Sequence, residues 1–321
     1  MKAIVLEEKD VWPVYKDMPD PKQYEGQVIV DLNAAALNHR DVWQVKGLYP
    51  GFMVPAILGS DGCGTLDGKK VIINPSLNWG DDERFAGSTY VILGMHMGGT
   101  FAEQLAIDKK QVYDKPAHMS DEEAAALPLA GLTAYRVLFK RCALQGGERV
   151  LISGIGGGVA SLAFQFALAA GCEVYVTSSS TAKIEKAVSL GAKAGIDYNE
   201  RNWGKSFYKK TGGADVIIDS AGGPGFGELI EAVARGGHIG IYGGTRGNLS
   251  NIKAPTLFFK QASIHGSTMG SDGDFQEMLD FVNQHRIVPI VDRVFSLAEG
   301  ANALQHMDKG QQFGKIVLKI R

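Results

Sequence analysis

A chain of 321 residues, with 33 Lys+Arg against 35 Asp+Glu and 45% hydrophobic residues, carries material for about two domains with sizeable cores. The formal net charge of −2, without a basic block, argues against a nucleic-acid surface, and no apolar run approaches the roughly 20 residues of a membrane span. Three scattered cysteines, Cys63, Cys142 and Cys172, suit neither a disulfide framework nor a Cys-rich zinc site; with an N-terminus lacking a signal-peptide core they predict a cytoplasmic protein.

In chain order, Lys2–Leu6 and Val28–Leu32 are predicted strands, the second following the Glu25-Gly26 turn. Cys63–Leu66 and Lys70–Ile73 flank Asp67-Gly68, a dipeptide suited to tight hairpins because both positions tolerate positive φ. Phe101–Ile107 reads as a further strand after a loop-rich stretch, residues 74–100. Ser120 and Glu123 form a capping box ahead of an Ala-rich helix that Pro128 punctuates, and a second helix is expected over Thr133–Leu144. Strands and helices then alternate: Arg149–Ser153, Gly158–Ala170, Glu173–Thr177, Thr181–Leu190, Ala194–Ile196, Asn202–Lys210, Asp215–Asp219, Phe226–Ala234, His238–Tyr242, Ala262–His265 and Asp274–His285. Continuous apolar runs such as Val216-Ile217-Ile218 suit strands buried on both faces, the signature of a doubly wound parallel sheet. Ile287–Phe295 and Lys315–Ile320 return to strand character and could rejoin the first domain. The expected organisation is an α/β chain with one β-rich domain, 1–119 and 287–321, interrupted by a Rossmann-type domain, 120–286.

The strongest local signal is Val150-Leu151-Ile152-Ser153-Gly154-Ile155-Gly156-Gly157-Gly158-Val159-Ala160, a buried strand running through a glycine-dense turn into a helix. Helix N-terminal N–H groups and missing Cβ atoms there favour a pyrophosphate. The spacing fits Gly154-x-x-Gly157-x-x-Ala160, with Gly158 and Val159 opening the helix. An acidic residue some 20 positions on would bind the ribose hydroxyls of NAD. The sequence has Thr177-Ser178-Ser179-Ser180-Thr181-Ala182-Lys183 instead, whose hydroxyls and cation favour the 2′-phosphate of NADPH while also able to cap the next helix. No Gly-x-Ser-x-Gly elbow and no P-loop occurs.

Ala36-Leu37-Asn38-His39-Arg40-Asp41-Val42-Trp43, Gly47-Leu48-Tyr49-Pro50 and Leu58-Gly59-Ser60-Asp61-Gly62-Cys63-Gly64 resemble the medium-chain dehydrogenase/reductase superfamily, and within it the zinc-independent quinone oxidoreductase branch. Pro128–Tyr135, Asp219–Gly223, Gly236–Gly240, Gly266-Ser267 and Gly310–Val317 extend the resemblance over essentially the whole chain. It implies a GroES-like catalytic domain beside the Rossmann domain, and a homodimer joined along the edges of its cofactor sheets, with Ala262–His265 as a candidate edge. Where zinc-dependent members place a Cys and a His on the metal stand Asn38 and Ser60, and residues 74–100 lack the four-Cys lobe. A substitute site from His39, Asp61 and Cys63 is the alternative to a satisfied His and a packed Cys. Without metal, the resemblance implies hydride transfer to a quinone or α,β-unsaturated carbonyl. Asn38 would hold either the carbonyl oxygen or the nicotinamide side, Tyr49 would donate a hydrogen bond or a proton or else simply pack on its loop, and Asp41 is a further candidate whose other reading is a helix cap or ion-pair partner. By motif the cofactor falls to Gly154, Gly157, Gly158 and Val159 at the pyrophosphate and to Ser178, Ser179 and Lys183 at the 2′-phosphate. Tyr198 falls near the adenine and Gly243, Gly244 and Thr245 near the nicotinamide ribose. Phe313-Gly314-Lys315 either closes over the cofactor or is a terminal strand with an exposed lysine. The competing functions are a zinc-type alcohol dehydrogenase and a non-catalytic NADPH sensor or partner protein.

Overall fold

Backbone pairing accounts for the early β-rich segments. In the computed structural model, which describes residues 1–95 and 98–321, the chain divides into one unit of residues 1–132 and 269–321 and a second of residues 133–268. In the first unit the ten-residue strand Gln27–Ala36 pairs with Gln104–Asp108 along its first half and with Asp61–Leu66 along its second. Asp67 (φ 49°) and Gly68 (φ 77°) both take left-handed backbone and turn Asp61–Leu66 onto Lys69–Ile73, the predicted tight hairpin. The last strand, Lys315–Lys319, runs antiparallel to Ala34–Ala36 and parallel to Val291–Ser296, so the C-terminus rejoins the first unit. Ile4, Leu6, Leu37, Phe101, Leu304 and Leu318 belong to the core cluster beside this sheet.

Two predicted strands begin later than their hydrophobic pattern suggests. Phe101 is fully buried, but its backbone bonds Ile4 and Leu58, so the ladder with Gln27–Asp31 starts at Gln104. Ile287 still terminates a helix through its N–H to Val282, and its strand starts at Val291. Pro128 opens a helix, Pro128–Tyr135, because a proline at the first helical position loses no hydrogen bond. The predicted helix over Thr133–Leu144 is therefore the end of that helix followed by a π-helical turn, Arg136–Arg141. The helix Asp272–His285 belongs with the first unit: Phe275 packs on Tyr113 at 4.7 Å, and Asp272 accepts from Asn74 at 2.8 Å.

The second unit is a six-stranded parallel sheet. Its spatial order is Ala194–Asp197, Glu173–Ser178, Arg149–Ile152, Ala214–Asp219, Val233–Ile241, Ser263–Gly266. Taken in chain order this is 3-2-1-4-5-6, the doubly wound arrangement, whose order reverses beside Arg149–Ile152. Ligands bind such sheets beyond the strand C-termini at that reversal, where the glycine-dense turn lies. Among the described residues no helix is long and apolar enough to cross a membrane.

Candidate functional site

In the second unit the chain leaves Ile152 and turns on Gly154 (φ 68°) and Gly156 (φ 135°), conformations that β-carbons disfavour. Thr177, from the adjacent strand, holds the turn: its hydroxyl accepts from the Gly154 N–H at 3.1 Å and its carbonyl from Ile155 at 2.9 Å. Gly157 is the N-cap of the helix Gly158–Ala169, and the Ser161 N–H bonds back to the Gly157 carbonyl at 2.9 Å. The N–H groups of Gly158, Val159 and Ala160 thus precede the helical ladder and carry the positive end of its dipole. A β-carbon at Gly154 or Gly157 would meet nothing within 4 Å. That open cradle fits a pyrophosphate, and Ala160 packs inside, 2% exposed.

The strand Glu173–Ser178 carries the buried Ser178, whose hydroxyl accepts from the Ser180 N–H at 3.1 Å. Ser180 N-caps the next helix, Thr181–Ser189, and accepts from the Lys183 N–H. Tyr198 donates to Ser179 at 3.0 Å, tying the loops after the second and third strands together. Gly243, Gly244 and Thr245 follow the fifth strand, where the Thr245 N–H bonds the Ser220 carbonyl at 3.3 Å. Asp219, to which the sequence assigned no site role, shapes the neighbouring turn by accepting from Ala221 at 3.2 Å and Gly222 at 2.8 Å.

The first unit assembles a second polar array. The strand Gln27–Ala36 lies between Asp61–Leu66 and Lys315–Lys319, with Asp61 opposite Ala36 and the Leu37 N–H bonded to the Ile316 carbonyl. Asn38, Asp61 and Lys315 therefore meet at one end of three neighbouring strands. The Lys315 Nζ donates to Asn38 Oδ1 at 2.7 Å and to Asp61 Oδ2 at 2.9 Å. Asn38 Nδ2 donates to the same Asp61 oxygen at 2.9 Å, and Asp61 Oδ1 accepts from the Leu129 N–H at 2.7 Å. The ion pair is buried, with 2% and 0% side-chain exposure for Lys315 and Asp61; Asn38 retains 7%. Lys315 is thus not the exposed lysine of a terminal strand. Phe313, two residues before it, is buried and donates its N–H to Asp292 at 2.9 Å.

Asn38 is also the N-cap of the helix His39–Val45, and Asp41 turns back to accept its N–H at 2.7 Å. Burial pushes the Asp41 carboxyl up to about 6, against the opposing pull of Arg40. Its Oδ1 is buried without a hydrogen-bond partner. Arg40 donates to the Ser60 hydroxyl at 2.5 Å and to the Leu93 carbonyl at 3.1 Å, and its guanidinium lies 4.7 Å from the centre of the Tyr49 ring. Tyr49 is half-buried. Asp61 as a partner of Asn38, and Arg40 as a partner of Ser60, escaped sequence reasoning; their nearness in sequence to Ser60 and Asn38 was the available signal.

The alternative set of His39, Asp61 and Cys63 does not assemble. His39 packs edge-on to Trp43, Asp61 is engaged by Lys315, and burial holds the Cys63 thiol up at about 12. Among the described residues, no group of three or more His, Cys, Asp or Glu could hold a metal ion.

Residues 24–117 match the family model for an alcohol dehydrogenase GroES-like domain, and residues 158–284 that for a zinc-binding dehydrogenase. The chain is 33% identical to the zinc-type alcohol dehydrogenase-like protein YogA of Leptosphaeria maculans, over 96% of this chain and 93% of that protein. A solved NAD-dependent alcohol dehydrogenase is 34% identical, covers all of both chains and superposes with a TM-score of 0.93. The quinone oxidoreductase of Thermus thermophilus, solved also with NADPH, is 26% identical over the full length of both chains, with a TM-score of 0.84.

Proposed function

The chain belongs to the medium-chain dehydrogenase/reductase superfamily of oxidoreductases, and on that premise we propose that it is an NADPH-dependent reductase of quinones or α,β-unsaturated carbonyls that works without a metal. The observation that carries the reading is the donor set at the two places where zinc-dependent relatives put a thiolate and an imidazole. Asn38 offers a carboxamide bonded to an ammonium, and Ser60 a hydroxyl bonded to a guanidinium. Two neutral oxygen donors, each beside a cation, do not fit Zn²⁺, which takes Cys, His or carboxylate ligands.

Bound NADPH supplies the hydride. The turn at Gly154, Gly157, Gly158 and Val159 would hold its pyrophosphate, Ser178, Ser179 and Lys183 its 2′-phosphate, Tyr198 its adenine, and Gly243, Gly244 and Thr245 the ribose of its nicotinamide. Asn38 donates an N–H to the acceptor oxygen, where negative charge grows as the hydride arrives, and Tyr49 donates alongside it. Conjugation in the acceptor spreads that charge, and a proton from solvent completes the reduction. Asp41 serves as the helix N3 carboxylate that orients the Asn38 backbone. The working form is a homodimer through the edge strand Ser263–Gly266.

The test is oxidation of NADPH and of NADH by purified protein against a panel of quinones, enals, enones and enoyl thioesters, with and without chelator, alongside metal analysis. Turnover with NADPH that survives chelation is expected. Zinc near one equivalent, with loss of turnover on chelation, would return the chain to the alcohol dehydrogenase reading. Tight NADPH binding with no acceptor reduced would make it a sensor.

A further inference from the structure

The Asn38–Asp61–Lys315 array does more than fill the place of two metal ligands. Replacing a fully buried Lys–Asp pair by apolar side chains is often neutral or stabilising, so stability alone is a weak reason for a fold to keep one. What this pair holds is more telling. Both of its members converge on a single carboxamide. Lys315 Nζ donates to Asn38 Oδ1 at 2.7 Å, and Asp61 Oδ2 accepts from Asn38 Nδ2 at 2.9 Å. The third edge of the triangle, Lys315 Nζ to Asp61 Oδ2, is 2.9 Å. This arrangement fixes the sense of the amide without ambiguity, since a flipped Asn38 would turn its NH₂ to an ammonium and its oxygen to a carboxylate.

Donor arithmetic then gives the array a direction. An amide NH₂ carries two hydrogens, and Asp61 takes one. Asp61 has no comparable capacity to spare: its Oδ1 accepts from the Leu129 N–H and its Oδ2 is shared between Lys315 and Asn38. Of the three residues, only Asn38 keeps exposure above a few per cent. From the other side, the Asn38 backbone is pinned by Asp41 at the start of the helix His39–Val45. Backbone and side chain are thus restrained from opposite directions; the Asn38 NH₂ and the Lys315 ammonium each keep one N–H, and that of Asn38 belongs to the more exposed residue, 7% against 2%.

We infer that Lys315 and Asp61 are positioning residues that lock the Asn38 carboxamide so that its second Nδ2 hydrogen is presented, preoriented, to the acceptor oxygen. The inference rests on the proposed reductase reading. The ammonium also places a fixed positive charge next to that donor, which strengthens it toward an oxygen gaining negative charge.

The experiment uses the full-length protein with NADPH, 1,4-naphthoquinone and trans-2-hexenal. The variants are Lys315→Arg, Lys315→Met and the double variant Lys315→Met/Asp61→Leu, which removes both charges and so remains testable if the single change fails to fold. Removing a donor to a developing oxyanion costs on the order of 100-fold or more in kcat, and loosening one is expected to cost about tenfold. The expected result is that the double variant loses about tenfold or more in kcat, with KM for NADPH and its binding constant within about twofold of wild type. Lys315→Arg recovers part of the loss. A second readout is independent of turnover: the Asn38 side-chain amide, assigned by its loss in Asn38→Ser, gives one exchange-protected NMR signal in the wild type, from the N–H bonded to Asp61, and that protection is lost in the double variant. A wild-type kcat in the folded double variant, or an Asn38 amide already unprotected in the wild type, overturns the inference. A wild type that reduces neither acceptor, nor any other in the panel, overturns the reductase reading itself, and the two failures are thereby separated.

Discussion

Asp41 offers the sharpest thermodynamic test of how this unit is built. Its carboxyl is completely buried, accepts one backbone N–H from Asn38 and leaves its second oxygen without a partner. Burial therefore moves it from an ordinary 3.8 up to about 6 even though Arg40 pulls the other way. Because the native state binds this proton more tightly than the unfolded state, the stability that the protonated carboxyl lends is present below pH 3.8 and is lost as pH rises through about 6. The displacement from 3.8 to about 6 corresponds to roughly 3 kcal/mol. Asp41→Asn keeps an oxygen for the Asn38 N–H and cannot ionise. Its packing cost is the same at every pH, so the difference between variant and wild type isolates the ionisation. That difference should favour the variant by roughly 2.5 kcal/mol more at about pH 8 than at about pH 4, where the unfolded carboxyl is already partly ionised. For a unit of this size about 2–4 °C of Tm accompanies each kcal/mol, giving roughly 5–10 °C of relative change. Thermal unfolding of both proteins by circular dichroism, across that pH range, measures it. A variant-minus-wild-type difference that stays flat throughout would refute a desolvated carboxyl at position 41.

Three further outcomes follow from the geometry. Gly157→Ala meets no atom within 4 Å and sits at φ −73°, which any residue adopts, so the fold should be unperturbed while NADPH affinity falls by about tenfold or more, read by fluorescence titration. Lys183→Ala should narrow the preference for NADPH over NADH in kcat/KM by about tenfold, since the 2′-phosphate loses its cation and NADH does not; an unchanged ratio removes Lys183 from the site. Lys315→Met alone strands the Asp61 carboxylate and should cost about 3–5 kcal/mol in urea unfolding, most of it regained in Lys315→Met/Asp61→Leu.

What could be read from the sequence was what is local in it. The turn at Gly154–Ala160 is contiguous, so strand, glycines and helix start stand side by side, and the hairpin at Asp67-Gly68 needs only two residues with left-handed backbone. Pro128 shows the limit of local signals, since the same residue can stop one helix or start the next, and here it does the second. The helix Asp272–His285 alternates with strands just as a doubly wound unit would, yet its buried residues pack elsewhere: Phe275 lies against Tyr113, and nothing short-range in the chain says so. Lys315 was hardest to place. It is 277 positions from Asn38, and its burial depends on the C-terminal strand inserting next to Ala34–Ala36, a pairing set by the whole sheet.

The same strand insertion makes the polar array an interdependent set. Asp61 is wholly buried, and an isolated carboxylate there would carry a large desolvation penalty, so some cation must accompany it. On the proposed reading that cation is covalently part of the chain: the Lys315 ammonium brings one positive charge at fixed distance, where a zinc ion would bring two and demand further thiolate, imidazole or carboxylate partners beside Asp61. Asn38 is the residue type that suits this arrangement. Its oxygen satisfies the ammonium, its NH₂ satisfies the carboxylate, and unlike an acid or a thiolate it adds no charge for Lys315 to balance. Ser60 repeats the logic one strand end away, giving the Arg40 guanidinium an oxygen and donating its own hydroxyl hydrogen bond to the Leu93 carbonyl. Neutral donors beside fixed cations favour acceptors that already delocalise charge, such as quinones and enones. A saturated carbonyl, whose alkoxide concentrates charge on one oxygen, would need the stronger polarisation that a divalent ion supplies.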